Sequence, residues 1–312
     1  MVILSELNPS QYRMIHHDIC PLCSSPEISH FLSCTDHFVS KEVFEIYRCS
    51  KCGFLFTQNY PDESAIGRYY ESDDYISHSD TSKGLIDKVY QFIRRVMLNR
   101  KKRMIRKVSG LSSGTILDIG SGTGHFLNTM KKSGWNINGV EINAKAREYA
   151  ASRFKIDTFT PDKINMLPSN SFDCITLWHV LEHFHDPFKY MEEISRLLRD
   201  DGVCIVALPN TNSFDAKHYG KEWAAYDVPR HLWHFNPSTF TMFAGKNRFS
   251  INEERNLPLD VFYISILSEK YRGSKFPVLA GTINALVFLI RSWFTDSENS
   301  SIIYVLRKND NQ

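Results

Sequence analysis

The sequence has no excess of charge: 37 basic against 35 acidic side chains leave its 312 residues at a net +2. A protein that holds a polyanion by bulk charge is thereby excluded, although a local basic patch is not. There is no internal repeat and no low-complexity tract, and 42% apolar residues is not the composition of a disordered chain. No hydrophobic run is clean over the roughly 20 residues that a membrane span needs. The most apolar stretch, Phe276 to Phe294, is broken by Pro277, Asn284 and Arg291. It predicts an amphipathic lid packed on the core, or a peripheral membrane contact through 276–294. The opening residues lack the basic-then-apolar layout of a secretion signal. Cysteine is scarce and odd in number, seven, with four in C-x-x-C pairs. That points away from disulfides, toward a metal in a reducing, cytoplasmic compartment.

Cys20-Pro-Leu-Cys23 and Cys49-Ser-Lys-Cys52-Gly53 form two knuckles 25 residues apart. Zinc takes four thiolates in a tetrahedron, and two residues between ligands let one tight turn supply a pair. With β-prone segments between them, the knuckles predict a zinc ribbon over 1–60. Its ligands would be Cys20, Cys23, Cys49 and Cys52, and its metal structural, because four thiolates leave no open position. A redox pair and a site that has lost its metal are the alternatives. Residues 61–112 read as a helical linker or cap, with Leu85, Val89, Phe92, Ile93, Val96 and Met97 recurring on one face. Within it, 94–107 carry eight basic groups and no acid. They read as the solvated face of a packed helix, with anionic lipid or a phosphate-rich acceptor as the sharper alternative. No nucleic acid is expected, since no nucleic-acid module accompanies the ribbon.

From 113 to 312 the chain alternates. TILDIG, NINGVEI, FKIDTF, FDCITLW, GVCIVALP, RFSINEERN and SIIYVLRK read as strands, and helical stretches lie between most of them. That order predicts an α/β domain with a parallel sheet covered on both faces. Two stretches break the rhythm: 209–247, which is aromatic and rich in histidine, and 257–299. The first strand runs into Asp118-Ile-Gly120-Ser-Gly122-Thr-Gly124, a glycine turn opening a helix, whose N-terminus offers free N–H donors. Glu141 ends the next strand about 20 residues later, where a carboxylate can accept both hydroxyls of a ribose. A dinucleotide fingerprint would want glycine at 125, where His125 stands.

His179-Val-Leu-Glu182-His183 fits the H-x-x-E-H zinc-protease pattern, but that chemistry needs both histidines on one helix and a third ligand. Here His179 directly follows a strand, at the sheet edge where α/β folds bind ligands, and Glu182 and His183 are expected to begin the next helix. Asp227-Val-Pro229-Arg230-His231-Leu-Trp233-His234-Phe235 lies in the 209–247 insertion. It offers Arg, two His and aromatics above that edge, and histidine is the natural base near neutral pH. A surface loop resting on its aromatics is the alternative.

The spacing D-x-G-x-G-x-G at 118–124 resembles motif I of the class I S-adenosylmethionine-dependent methyltransferases. Phe172 to His183 resembles their fourth strand, and Leu197-Leu-Arg-Asp-Asp-Gly-Val their turn into the fifth. The resemblance implies a Rossmann-like class I methyltransferase sheet of about seven strands, with the zinc ribbon as an N-terminal module. It implies that Asp118, Gly120, Ser121, Gly122 and Gly124 surround the methionine part of S-adenosylmethionine, that Glu141 holds its ribose beside Ile142, and that His179 lines the pocket. In similar enzymes a tyrosine-rich segment before motif I closes over the cofactor, so Tyr70 and Tyr75 are expected there.

The domain plan is also similar to that of the ketosugar C-methyltransferases of deoxysugar biosynthesis. Those carry Tyr-His-Glu-His and then a tyrosine in the equivalent loop. His231 matches the second histidine, Arg230 stands at the glutamate, Pro229 at the first histidine, and His234 roughly at the tyrosine. The expected reaction is methyl transfer to a small-molecule acceptor, a nucleotide sugar or a glycan or cell-envelope precursor. His231, then His179, is the expected base, with Arg230 and His234 binding the acceptor. The runner-up is an O-methyltransferase acting on a quinol-like or lipid acceptor. The alternative of another class is a non-catalytic, methyltransferase-like binding protein.

Overall fold

The computed structural model describes residues 13–71, 85–292, 294–295 and 298–309, with 85–90 and 92 described by backbone alone. The N-terminal part contains β1 (Met14–Ile15), β2 (Ile28–Thr35), β3 (Val43–Cys49), β4 (Leu55–Gln58) and β5 (Tyr60–Pro61). β2, β3 and β4 form an antiparallel meander, and β1 pairs with β5. The knuckles close in tight turns: Ser24 N donates to Cys20 O and Gly53 N to Cys49 O. Gly53 takes φ +76°, the left-handed geometry that glycine adopts without steric cost.

α1 (Leu85–Ser109) then leads to the sheet. Met104 and Ile105 are buried against it, whereas Val96, expected on the apolar face of this helix, faces out. The alternating part runs β6 (Thr115–Ile119), α2 (His125–Lys131), β7 (Asn136–Val140), α3 (Ala144–Phe154), β8 (Phe172–Trp178), α4 (Pro187–Leu197) and β9 (Leu198–Pro209). Each helix has a local reason to be one. On α4, Pro187, Met191, Ile194 and Leu197 are buried at helical spacing, and the Asp186 side chain caps its first turn by accepting from Lys189 N. Asn143 caps α3 in the same way, accepting from Ala146 N.

The insertion after β9 holds α5 (Phe214–Tyr219), β10 (Trp233–His234) and α6 (Pro237–Lys246). β11 (Phe249–Asn256), α7 (Asp260–Tyr271), α8 (Pro277–Ser292) and β12 (Ser301–Lys308) complete the chain. The main sheet has the order β7-β6-β8-β9-β12-β11. Its first four strands are parallel, and β12 runs antiparallel between β9 and β11. This is the Rossmann-like α/β fold, with six strands where the alternation predicts seven. The missing one is FKIDTF. α3 runs on through Phe154, Lys155 turns left-handed at φ +56°, and a 3₁₀ turn starts at Pro161. Only one parallel bridge, Val140 to Phe159, is left beside β7.

One further feature departs from expectation. His183 does not open a helix: Leu181–His183 is a separate 3₁₀ turn, and α4 starts at Pro187. The 209–247 insertion joins the sheet of the ribbon. β10 pairs antiparallel with β4, Trp233 opposite Phe56 and His234 opposite Leu55, so the ribbon sheet reads β10-β4-β3-β2. Phe54 stacks on Trp233 with centroids 6.2 Å apart, and Phe54, Trp233 and Phe235 share one apolar core with Leu117, Leu177 and Leu208 of the main sheet. The ribbon is thereby fixed to the carboxyl edge of the sheet through the insertion.

Candidate active site at the carboxyl edge of the sheet

The glycine turn follows β6 because its backbone can go where side chains cannot. Gly120, Gly122 and Gly124 have φ of +73°, +52° and +77°. A Cβ at Gly120 would lie 2.4 Å from Val180 Cγ2, and one at Gly124 2.9 Å from Ala150 Cβ. At Gly122 none of the described residues lies within 4 Å of such a Cβ. The loop is therefore packed at its two ends and open in the middle. Glu141, at the end of β7, closes the floor: Oε2 accepts from Gly122 N at 2.7 Å and Oε1 from Asn143 N at 2.8 Å. Each oxygen keeps a lone pair for another donor. Ser121 is buried, and its Oγ has no hydrogen-bond partner among the described residues. Ile142 is 78% exposed beside Glu141. An open backbone cradle, an orphaned hydroxyl, a carboxylate with spare lone pairs and a bare apolar side chain fit a nucleoside with a polar amino-acid tail.

Asp118 lies opposite Thr176 in the parallel register, and Thr176 Oγ1 donates to its Oδ1 at 2.6 Å. Burial pushes the Asp118 carboxyl up to about 7, against the opposing pull of Thr176 and the Lys101 ammonium. Lys101 reaches in from α1, its Nζ 3.9 Å from the centroid of the Trp178 ring. Its own ammonium is pushed down to about 8 by burial, with Asp118 and Asp260 working the other way. Sequence reasoning missed this residue. It belongs to the basic run 94–107, and nothing in that run marks which cation turns inward.

His179 follows β8 with φ +57°, a strained setting for a residue other than glycine. Its Nε2 is 2.8 Å from Asp260 Oδ2 and its Nδ1 3.5 Å from Glu182 Oε1. Burial opposes its charge, but the two carboxylates outweigh that and hold the imidazole at about 9. Near neutral pH His179 is thus an imidazolium without a free lone pair, which contradicts its expected role as a base.

Next to it, Glu182, His183 and His231 come together, one ligand atom of each within 4.8 Å of the others. Glu182 is 1% exposed, and among the described residues neither of its oxygens has a hydrogen-bond partner. The His183 and His231 rings meet edge to face, 4.5 Å apart. His183 Nδ1 lies 3.0 Å from both Arg230 O and Tyr70 Oη, and His231 Nδ1 lies 2.8 Å from Ala225 O. Burial, with His231 beside it, pushes His183 down to about 4, so that ring is neutral at neutral pH.

The other predicted site residues divide. Tyr70 is in place but faces His183, and Tyr75 lies outside the described residues. Arg230 does not point at an acceptor. It is 3% exposed, its Nε and Nη2 bond Asp227 at 3.0 and 2.6 Å, Nη2 also bonds Asp36 at 2.9 Å, and Nη1 donates to Tyr69 O at 2.9 Å. Its charge is spent joining ribbon, linker and insertion. His234 is buried with Nε2 2.9 Å from Thr57 Oγ1, and burial pushes it down to about 3, so it too is a fastener rather than an acceptor ligand. In the ribbon, Cys20 and Cys52 sulfurs are 3.7 Å apart, Cys23 and Cys49 sulfurs 3.5 Å, and all four lie within 4.8 Å of one another. Tetrahedral zinc with bonds of about 2.3 Å spaces its sulfurs by about 3.8 Å, so the cluster fits that ion.

A mixed α/β sheet with an open glycine turn after β6, a carboxylate ending β7 and a polar cluster after β8 defines a nucleoside-binding enzyme of the class I methyltransferase kind. The methyltransferase-domain family matches residues 91–251, just over half of the sequence. The chain belongs to that family and is an S-adenosylmethionine-dependent methyltransferase. Among curated relatives, a ubiquinone biosynthesis O-methyltransferase of Bradyrhizobium diazoefficiens is 26% identical over 182 residues, spanning 55% of this chain and 72% of that one. A protein of the same name from Rhodopseudomonas palustris is 25% identical over 177 residues, spanning 53% and 70%. Among solved structures, phosphoethanolamine N-methyltransferase 2 of Haemonchus contortus, in complex with S-adenosyl-L-methionine, has a TM-score of 0.51 at 18% identity, covering 82% of this chain and 63% of that one. Geranyl diphosphate methyltransferase in complex with the same compound has a TM-score of 0.50 at 14% identity, covering 75% and 95%. At these identities the structural likeness concerns the fold. Among the described residues no helix is long and apolar enough to cross a membrane.

Proposed function

We propose that this enzyme methylates an oxygen or carbon acid of a sugar or glycan precursor, held between the glycine turn, His179 and the 209–247 insertion. The observation that carries the reading is the convergence of Glu182, His183 and His231 beside the donor cradle: Val180, which packs over Gly120, is two residues from Glu182. When bound, S-adenosylmethionine supplies a methyl group on a sulfonium that is already electrophilic. Residues of this chain then have to align the acceptor, exclude water and take up a proton. Asp118, Ser121, Gly122, Glu141 and Ile142 hold the donor. His231 activates the acceptor, because its Nδ1 is committed to Ala225 O and its Nε2 keeps a lone pair. His179, held as a cation between two carboxylates, orients the pocket instead. The four-cysteine ribbon, built on structural zinc, supports the sugar reading by its plan and by its strand pairing with the insertion that carries His231. The relatives named for ubiquinone biosynthesis favour a second reading, O-methylation of a quinol-like acceptor.

Formation of S-adenosylhomocysteine with nucleotide sugars, and separately with catechols or quinols, tests both. His231→Ala is expected to keep donor affinity and lose turnover by about a hundredfold or more. Turnover on neither acceptor class would remove the reading.

α8 supplies the place where such an enzyme meets a membrane-borne acceptor. Phe276, Leu279, Ile283, Leu286, Ile290 and Phe294 form an exposed stripe at helical spacing, while Gly281, Ala285 and Phe288 face inward. No charged residue lies between 276 and 290, and exposed Lys270, Arg272, Lys275 and Arg291 flank the two ends. An apolar stripe between cations complements an anionic lipid surface. Leu279→Glu is expected to abolish co-sedimentation with phosphatidylglycerol vesicles. Self-association in place of vesicle binding would assign the stripe to a second copy.

A further inference from the structure

Among the described residues neither oxygen of the buried Glu182 carboxylate receives a hydrogen bond; His179 Nδ1 stands 3.5 Å from Oε1, and Oε2 is left bare. A buried carboxylate oxygen left bare is costly, and in native structures such a group carries a further partner, either water or an ion. The two histidines beside it show what that partner is. A backbone carbonyl can only accept, so the ring nitrogens facing Arg230 O and Ala225 O carry their protons, Nδ1 of His183 and Nδ1 of His231. In neutral rings both Nε2 atoms are then left with a lone pair. This is how metal-binding imidazoles are held: one nitrogen donates to a carbonyl and the other is free to ligate.

We propose that Glu182, His183 and His231 form a second metal site, distinct from the cysteine ribbon, for a divalent first-row transition ion such as Zn²⁺, Mn²⁺ or Co²⁺. Two imidazoles and one carboxylate suit such an ion better than Mg²⁺ or Ca²⁺, which take mainly oxygen ligands. The ligands come from the 181–183 turn and from the insertion, so the ion ties the insertion to the end of β8. Asp227 Oδ2, 3.9 Å from His231 Nε2, does not complete the set, because it is already bonded to Arg230. Three protein ligands leave positions open, as catalytic metal sites do and ribbon sites do not. An acceptor hydroxyl in an open position, or the α-carbon of a carbonyl bound there through its oxygen, would lose its proton more readily. The proposal rests on the reading above that His231 activates the acceptor, and it changes the means: with Nε2 on the ion, His231 acts by holding the metal, and the acceptor's proton passes to solvent rather than to the ring.

The test is titration of the intact protein, holding one equivalent of zinc for the cysteine ribbon and no other metal, with Co²⁺ or Mn²⁺ alone, read by calorimetry and, for Mn²⁺, by loss of the free-ion resonance signal. One equivalent is expected to bind in wild type. Glu182→Gln and His183→Gln should each weaken it at least tenfold, while donor affinity and the melting curve confirm that the variants are folded. No binding to wild type, or binding unchanged in both variants, overturns the site. Activity separates the two claims. Turnover that survives removal of this ion yet is lost in His231→Ala leaves the proposed function standing and sinks the metal. An ion held by these residues, with no acceptor of either class turned over, does the reverse.

Discussion

The Thr57 hydroxyl donates to the backbone carbonyl of His231 at 2.7 Å and faces His234 Nε2 at 2.9 Å, so one side chain of the cysteine ribbon holds both His231 and the short strand that follows it. Thr57→Val keeps the shape and removes the bond, leaving a buried carbonyl unsatisfied at a cost of about 1–3 kcal/mol. The expected outcome is a lower melting temperature and reduced turnover, with donor affinity changed by less than about twofold. Calorimetry with S-adenosylmethionine beside a turnover assay checks the split; equal loss of both would mean that the strand also shapes the donor pocket.

The same fastening predicts what removing the ribbon metal does. Cys49→Ser should lose the equivalent of zinc held by the ribbon, and with it the anchoring of β4 to β10. Turnover should fall before donor binding does, because the glycine turn and Glu141 belong to the other sheet. Metal content by mass spectrometry, followed by donor calorimetry on the same sample, gives the order of loss. An unchanged zinc content would remove the ribbon from the account.

Gly120→Ala should be far worse than Gly122→Ala. Both positions have positive φ, but only at 120 would the new methyl strike a neighbour, Val180 Cγ2 at 2.4 Å. Strain and overpacking together predict a loss of about 2–4 kcal/mol at 120 and about 1 kcal/mol at 122. Chemical denaturation measures the pair. At 122 the cost should appear instead in donor affinity, since that is where the cradle is open.

Asp118 makes donor binding depend on pH. Its carboxyl is raised to about 7 by burial, so in the free enzyme it gains a proton as pH falls from 8 to 6. A neutral carboxyl attracts the donor's ammonium less, so affinity should weaken toward low pH by up to about tenfold per unit. Asp118→Asn should bind weakly at every pH and lose that slope. A slope that persists in the variant would place the titrating group elsewhere.

The glycine turn and the cysteine knuckles were legible in the sequence because local geometry forces their composition: positive φ asks for glycine, and a tight turn that gathers two thiols asks for C-x-x-C. The parallel strands were legible from their apolar runs. What escaped depends on contacts between distant segments. Arg230 looks like an anion-binding residue until Asp36 arrives from the ribbon, and His179 looks like a base until Asp260 arrives from α7. Lys101 is one cation among eight in its run, and only its position over Trp178 distinguishes it. Glu182 and His183 sit in a recognisable H-x-x-E-H string, yet besides the His179 ring that faces Glu182 they meet His231 from the insertion, which the string does not announce.

The central claim is that the open turn at Gly122 and the carboxylate of Glu141 form one pocket for S-adenosylmethionine. Isothermal titration of that compound into wild type, Glu141→Ala and Gly122→Val tests it most directly. One-to-one binding to wild type, weakened at least tenfold in Glu141→Ala and lost in Gly122→Val, is the predicted result; binding of equal strength to all three would contradict it.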